Sequence, residues 1–163
     1  MDSFTDKHPL NQQARALFES PHRRYAGIIC DVAYDHFLAL DWHHYSDMPL
    51  AEYAALVDES LQNRAHVLPQ RLREFMPYLA SEKILQRNTR QPHIDLTLER
   101  ISLRRKSMAP LATASPALWE NRDALYEIFN QFFPQLISHS REVQQQVRGA
   151  AVVPKDNTGR PND

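Results

Sequence analysis

The segment Asp31-Val-Ala-Tyr-Asp35-His36 puts two carboxylates and an imidazole into a stretch that otherwise has the apolar content of a buried helix. At roughly 100° per residue, Ile28, Asp31, Asp35, Leu38 and Trp42 share one helical face, and Arg24 begins it. Asp31 and Asp35 form an i, i+4 pair. Two ionised carboxylates one turn apart repel by a few tenths of a kcal/mol on an exposed helix, and by more when partly desolvated. A cation between them removes that penalty. Two sources are open: Arg24, giving a structural ion-pair network, or a divalent metal for which carboxylate oxygens and an imidazole nitrogen are suitable ligands.

The run Asp2-Ser-Phe-Thr-Asp6-Lys-His8-Pro9 adds two carboxylates and a histidine. Asp6 also suits the N-cap of a helix starting near Pro9. With Asp31, Asp35 and His36 it completes a set able to hold a hard divalent ion and leave positions open for water or substrate. Metal-assisted hydrolysis of a phosphate ester is the chemistry such a set serves. His22, Arg23 and Arg24 stand at the expected start of the same helix, where cations are unfavourable, so a phosphate or a facing carboxylate would relieve them. His43 and His44 fit its negative C-terminal end. Arg100, Arg104, Arg105 and Lys106 form the densest basic cluster, suited to solvent, a phosphate or an acidic protein helix.

These side chains need a scaffold, and composition limits the choice. With 163 residues and 42% apolar content the chain supports one core. Only 3 glycines occur, too few for the turns of a strand-rich fold, so an all-helical single domain is expected over residues 1–148. Expected helices begin at Pro9, His22, Leu50 (to Val67), Gln70 (ended or kinked by Pro77), Ser81, Pro92 and Ala117 (to Val147, bent at Pro134), with Ser46-Asp47 offering a cap and Met108–Pro116 a loop. Residues 149–163 read as a disordered tail. Cys30, the 1 cysteine, reads as a small buried hydrophobe, so no intramolecular disulfide forms. A net charge of −1 gives no global field for nucleic acid or a membrane surface. With no signal peptide and no span-length apolar run, the expected location is cytoplasmic. Glycine-rich phosphate loops, dinucleotide motifs, paired-cysteine zinc patterns and nucleophile elbows are absent.

Three motifs carry a resemblance. Asp2-x-x-Thr5-Asp6-x-His8-Pro9, His22-Arg23-Arg24-Tyr25-Ala26-Gly27, and Asp31-Val-x-Tyr-Asp35-His36-Phe37-Leu38 with Trp42 resemble the acyl carrier protein phosphodiesterase family, and the likeness continues more weakly through Phe129-x-x-Phe132-Phe133-Pro134. The resemblance implies an all-α irregular bundle similar to the HD-type phosphohydrolases. It also implies a Mn2+ or Mg2+ cofactor and a hydrolase of lipid metabolism that releases 4′-phosphopantetheine from holo-acyl carrier protein. Carried over to this sequence, it implies Asp2, Asp6, Asp31 and Asp35 at the metal and Asp31, Asp35 and His36 in catalysis. His22, Arg23 and Arg24 would then meet phosphate, and Arg100, Arg104 and Arg105 would dock the carrier protein. Family members also carry a histidine-bearing segment and a His-Arg pair ahead of the position matching Asp2, which this sequence lacks. Two rival expectations follow: a catalytically silent module binding an acidic partner, or a metal phosphohydrolase of small phosphodiesters. Exposed apolar surface would favour dimerisation.

Overall fold

A computed structural model describes residues 3–70, 73 and 84–150, and among them there is no β-strand. The chain is an all-α single domain. Its helices are α1 (Ser3–Lys7), α2 (Pro9–Ala16), α3 (Ala26–Leu40), α4 (Trp42–Tyr45), α5 (Leu50–Asn63), α6 (Ile84–Arg87), α7 (Gln91–Ser102), α8 (Ser115–Glu120) and α9 (Arg122–Ala150). Short 3-10 turns cover Arg23–Tyr25, Ala65–Val67 and Lys106–Thr113.

α3 is the central element, packed against α2, α7 and α9. Ile29, Ala33 and Phe37 recur at i, i+4, with Val32 and His36 beside them, so one broad face is buried. α9 answers with Leu125, Ile128, Phe129 and Phe132, α7 with Ile94 and Leu98, and Phe18, Leu111 and Leu118 close the core. Burying each such side chain stabilises the fold by roughly 1.5–3 kcal/mol. Phe37 and Phe129 meet at 5.7 Å between ring centroids. Phe4 stacks on His139 at 4.1 Å, which fastens α1 to the middle of α9.

Several boundaries differ from the sequence reading, each for a local reason. His8, not Asp6, caps α2: its Nδ1 accepts from Leu10 N, and its Nε2 meets Gln135 Oε1 at 3.3 Å. The expected helix from His22 to Tyr45 is three pieces, because Arg23–Tyr25 is a 3-10 turn and the chain breaks at Asp41. His43 and His44 therefore lie on the separate short α4, exposed, with ring centroids 3.9 Å apart and planes tilted by 45°. Ser46 does not cap α5. Its hydroxyl bonds within the turn to Met48, and Pro49 takes the N-cap position of a helix that ends at Asn63. α7 stops at Ser102, which leaves Arg104, Arg105 and Lys106 beyond it. The expected loop from Met108 to Pro116 is largely helical, and Asn121 divides α8 from α9. α9 runs to Ala150, past the expected boundary at 148. The readings at Asp2, Pro77, Ser81 and residues 151–163 lie outside the described residues.

Candidate active site

Asp31 and Asp35 lie on the outward side of α3, opposite the stripe of Ile29, Ala33 and Phe37. Neither makes a hydrogen bond or ion pair with another described side chain. Asp35 is exposed over much of its residue surface, yet it also lines a cavity of about 40 Å³ with Leu38, Ala39, Trp42, Leu50 and Asn88. That volume accommodates water and little else. The apolar walls, followed by the charge of Asp31, push the Asp35 carboxyl up to about 6. Burial also raises Asp31, with Asp6 adding to the rise and Arg15 opposing it.

Arg15 is the cation of this group. Its Nη2 stands 3.2 Å from Asp6 Oδ1, in a pair with side chains 36% and 45% exposed. Of the two cations the spacing leaves open for Asp31, Arg24 does not reach it: its guanidinium lies over its neighbour Tyr25 at 5.8 Å. Arg24 occupies a 3-10 turn rather than the α3 face, so the helical projection from it to Asp31 fails. His22 Nε2 meets Thr113 Oγ1 at 3.2 Å, and Arg23 is exposed. The structure thus brings Asp6 and Asp31 to Arg15, with Asp35 one turn further along α3 beside Asp31, and sends His22 and Arg24 to other partners. Arg15 was legible only as the last basic residue of α2, with no spacing to tie it to Asp31.

His36 faces inward, consistent with its offset of about 100° from Asp35. It is buried, its Nδ1 lies 2.6 Å from the Asn88 carbonyl oxygen, and its ring meets the edge of Trp119 at 5.3 Å. Burial lowers its pKa, so the neutral imidazole donates from Nδ1 to that carbonyl. Trp119 is itself fixed by Nε1 donating to Asp95 Oδ1 at 2.8 Å, an acceptor shared with Ser115 Oγ. Asn88, Asp95 and Trp119 were not foreseen, because they are joined to α3 only by tertiary packing. Cys30 is buried, with its thiol pushed up to about 12 by desolvation and then by Asp31, as befits an inert core residue. Arg104 and Arg105 are exposed, with Leu103 between Ser102 and Arg104 at 79% exposure.

Carboxylate oxygens suit Mn2+ or Mg2+, but no group of three or more His, Cys, Asp or Glu among the described residues is arranged to hold a metal. Asp6 is held by Arg15 and His36 by Asn88, which leaves Asp31 and Asp35 as available oxygen donors. Among the described residues of this group, which do not include Asp2, the free oxygen donors are these two carboxylates.

The class defined by this fold and site is an all-α domain with a partly desolvated carboxylate pair on its central helix. The acyl carrier protein phosphodiesterase family matches residues 1–136. The chain belongs to that family. It is 33% identical to the acyl carrier protein phosphodiesterase of Escherichia coli O6:H1 over 141 residues, 86% of this chain and 73% of that protein. The proteins of the same description from Serratia proteamaculans and Yersinia enterocolitica are 30% and 29% identical over 145 residues, 88% of this chain and 75% of each. No solved structure matches, so the likeness to HD-type phosphohydrolases rests on the sequence resemblance. Among the described residues no helix is long and apolar enough to cross a membrane.

Proposed function

We propose that this chain hydrolyses the phosphodiester that joins 4′-phosphopantetheine to the serine of holo-acyl carrier protein, with Mn2+ or Mg2+ as cofactor. The observation that carries the reading is the Asp31–Asp35 pair on the family's matching motif, in particular Asp35 in its small apolar-walled cavity. A carboxyl held near 6 is suited to exchange a proton with water close to neutral pH. Asp35 takes the proton of the attacking water, and the seryl oxygen leaves from phosphorus with a proton from solvent. Asp31 would hold the divalent ion, whose positive charge would serve the phosphoryl group, and Asp35 would be left for the proton. His36 acts at one remove, since its bond to Asn88 fixes a wall of the cavity that Asp35 borders.

The carrier protein docks on the basic end of α7, where Arg100, Arg104 and Arg105 would pair with acidic side chains and the exposed Leu103 offers an apolar anchor. A second reading, in which the chain binds its acidic partner without turning it over, draws on the same exposed Leu103, Arg104 and Arg105.

Purified holo-acyl carrier protein incubated with this chain and Mn2+, followed by mass spectrometry, tests the proposal. Loss of the phosphopantetheine mass, abolished by chelator and by Asp35→Ala, is expected. No conversion, together with retained binding that charge reversal at Arg104 weakens, would establish the silent module instead. Turnover of a generic small phosphodiester without carrier protein, and none of holo-carrier protein, would move the substrate class.

A further inference from the structure

Arg15 leaves α2 one residue before the helix ends and spans two neighbouring elements. Toward α1, its Nη2 donates to Asp6 Oδ1 at 3.2 Å and its Nη1 to the Asp6 carbonyl oxygen at 3.4 Å. Toward α3, it lies across the first turn: a Cβ placed on Gly27 would stand 3.5 Å from Nε and 3.8 Å from Cζ. Gly27 and Asp31 are i, i+4, so the guanidinium sits one turn from Asp31 along a single face of α3. The electrostatic influence of Arg15 on Asp31 agrees with that placement.

A guanidinium has five N–H donors in a planar fork, and Asp6 engages one from each terminal nitrogen. The remaining donors make no hydrogen bond within the described chain, and the side chain is 36% exposed. An oriented, half-solvated fork with spare donors, one turn from Asp31, is suited to bidentate capture of a phosphoryl group. The basic run noticed in the sequence is differently placed. His22 is turned to Thr113, Arg24 lies over Tyr25, and neither they nor Arg23 pairs with Asp31 or Asp35.

We propose that Arg15 is the phosphate-binding residue of this site, with Asp6 as the positioning residue that orients its fork. The inference rests on the phosphodiester reading, and it names the residue through which the substrate's phosphoryl oxygens are held. The N–H groups that Asp6 does not take are left for the anion, while Asp31 and Asp35 are left to the cation and the attacking water. Lysine in this place would keep the charge and lose the fork.

The test is a 31P NMR titration of the whole chain with inorganic phosphate in the presence of Mg2+, which requires no turnover. Arg15→Gln is expected to weaken phosphate binding by about tenfold or more, in line with the loss of a charge-assisted hydrogen-bond pair. Arg15→Lys should bind with intermediate affinity, and Arg23→Gln and Arg24→Gln should remain within about twofold of the parent, as expected of exposed sites without anion contact. Thermal melting accompanies each variant. If Arg15→Gln fails to fold, Arg15→Lys carries the test, and a several-fold loss at unchanged melting temperature is then the expected result. Unchanged phosphate affinity in a folded Arg15 variant, loss on Arg24→Gln instead, or no phosphate binding by the parent chain would each overturn the inference. Hydrolysis of holo-carrier protein that survives any of these results would leave the phosphodiesterase reading intact and remove only the role of Arg15.

Discussion

At neutral pH the Asp35 carboxyl is ionised against the combined opposition of apolar walls and the Asp31 charge. Its proton is held near 6 in the folded chain and near the ordinary 3.8 when unfolded. Between those values the native state binds more protons, so the contribution of this group is fully favourable below about pH 3.8 and is lost as pH rises through 6. Asp35→Asn should therefore stabilise the chain above pH 7 by about 1 kcal/mol after allowance for solvent screening, and hardly at all at pH 4. Urea unfolding at both pH values reads the difference. An equal effect at the two would remove the charge argument. His36 differs in kind, since its ring is part of the core. His36→Ala leaves the Asn88 carbonyl without its donor and opens a void beside Trp119, an expected loss of about 2–4 kcal/mol. The same unfolding experiment measures it, and a change below about 1 kcal/mol would show that the Asn88 bond carries little.

Among the elements, α3 and α5 show how far an apolar stripe goes toward predicting burial. Both have one, but α3 inserts its stripe between α2, α7 and α9, whereas no α5 residue is buried and Tyr53 and Leu56 are 40% and 50% exposed. Phe129→Ala, on the α9 face that meets α3, should cost about 3–5 kcal/mol. Leu56→Ala should cost less than about 1 kcal/mol, because little area returns to water. Chemical denaturation of the two variants compares them directly. The α2 cap makes a smaller prediction. His8→Ala removes the acceptor for Leu10 N and the link to Gln135, with an expected loss of about 1 kcal/mol in the same assay.

For the molecule as a whole, a net charge of −1 means that association with an acidic protein depends on local rather than global charge. The basic end of α7 concentrates that charge around an exposed leucine, with the carboxylate site on the neighbouring α3. Arg104→Glu should weaken binding of holo-acyl carrier protein by about tenfold at low salt, and the difference should shrink at high ionic strength. Surface plasmon resonance at two salt concentrations shows whether it does. A salt-independent loss would point to Leu103 packing rather than charge.

The few glycines, local periodicity and contiguous motifs were enough to read the all-α class, the apolar face of α9, the Asp31–Asp35 spacing and the family, because each depends on composition, on residues within a turn or on a contiguous motif; the buried stripe of Ile29, Ala33 and Phe37 on α3 showed only in the packing. Helix ends were less legible. The cap of α2 went to His8 because Gln135, far along the chain, holds its ring, and the break at Asp41 separated His43 and His44 from the helix to which their spacing assigned them. Tertiary structure alone decided which cation meets the carboxylates. Arg24 has the helical offset, but Arg15 has the position, brought across α3 by the packing of α2. It also decided that Asp35, with the same side chain as Asp31, is the more strongly perturbed of the two. Desolvation is a sum over walls, and the walls of Asp35 come from α3, α4, α5 and the turn at Asn88, elements that no single stretch of sequence contains.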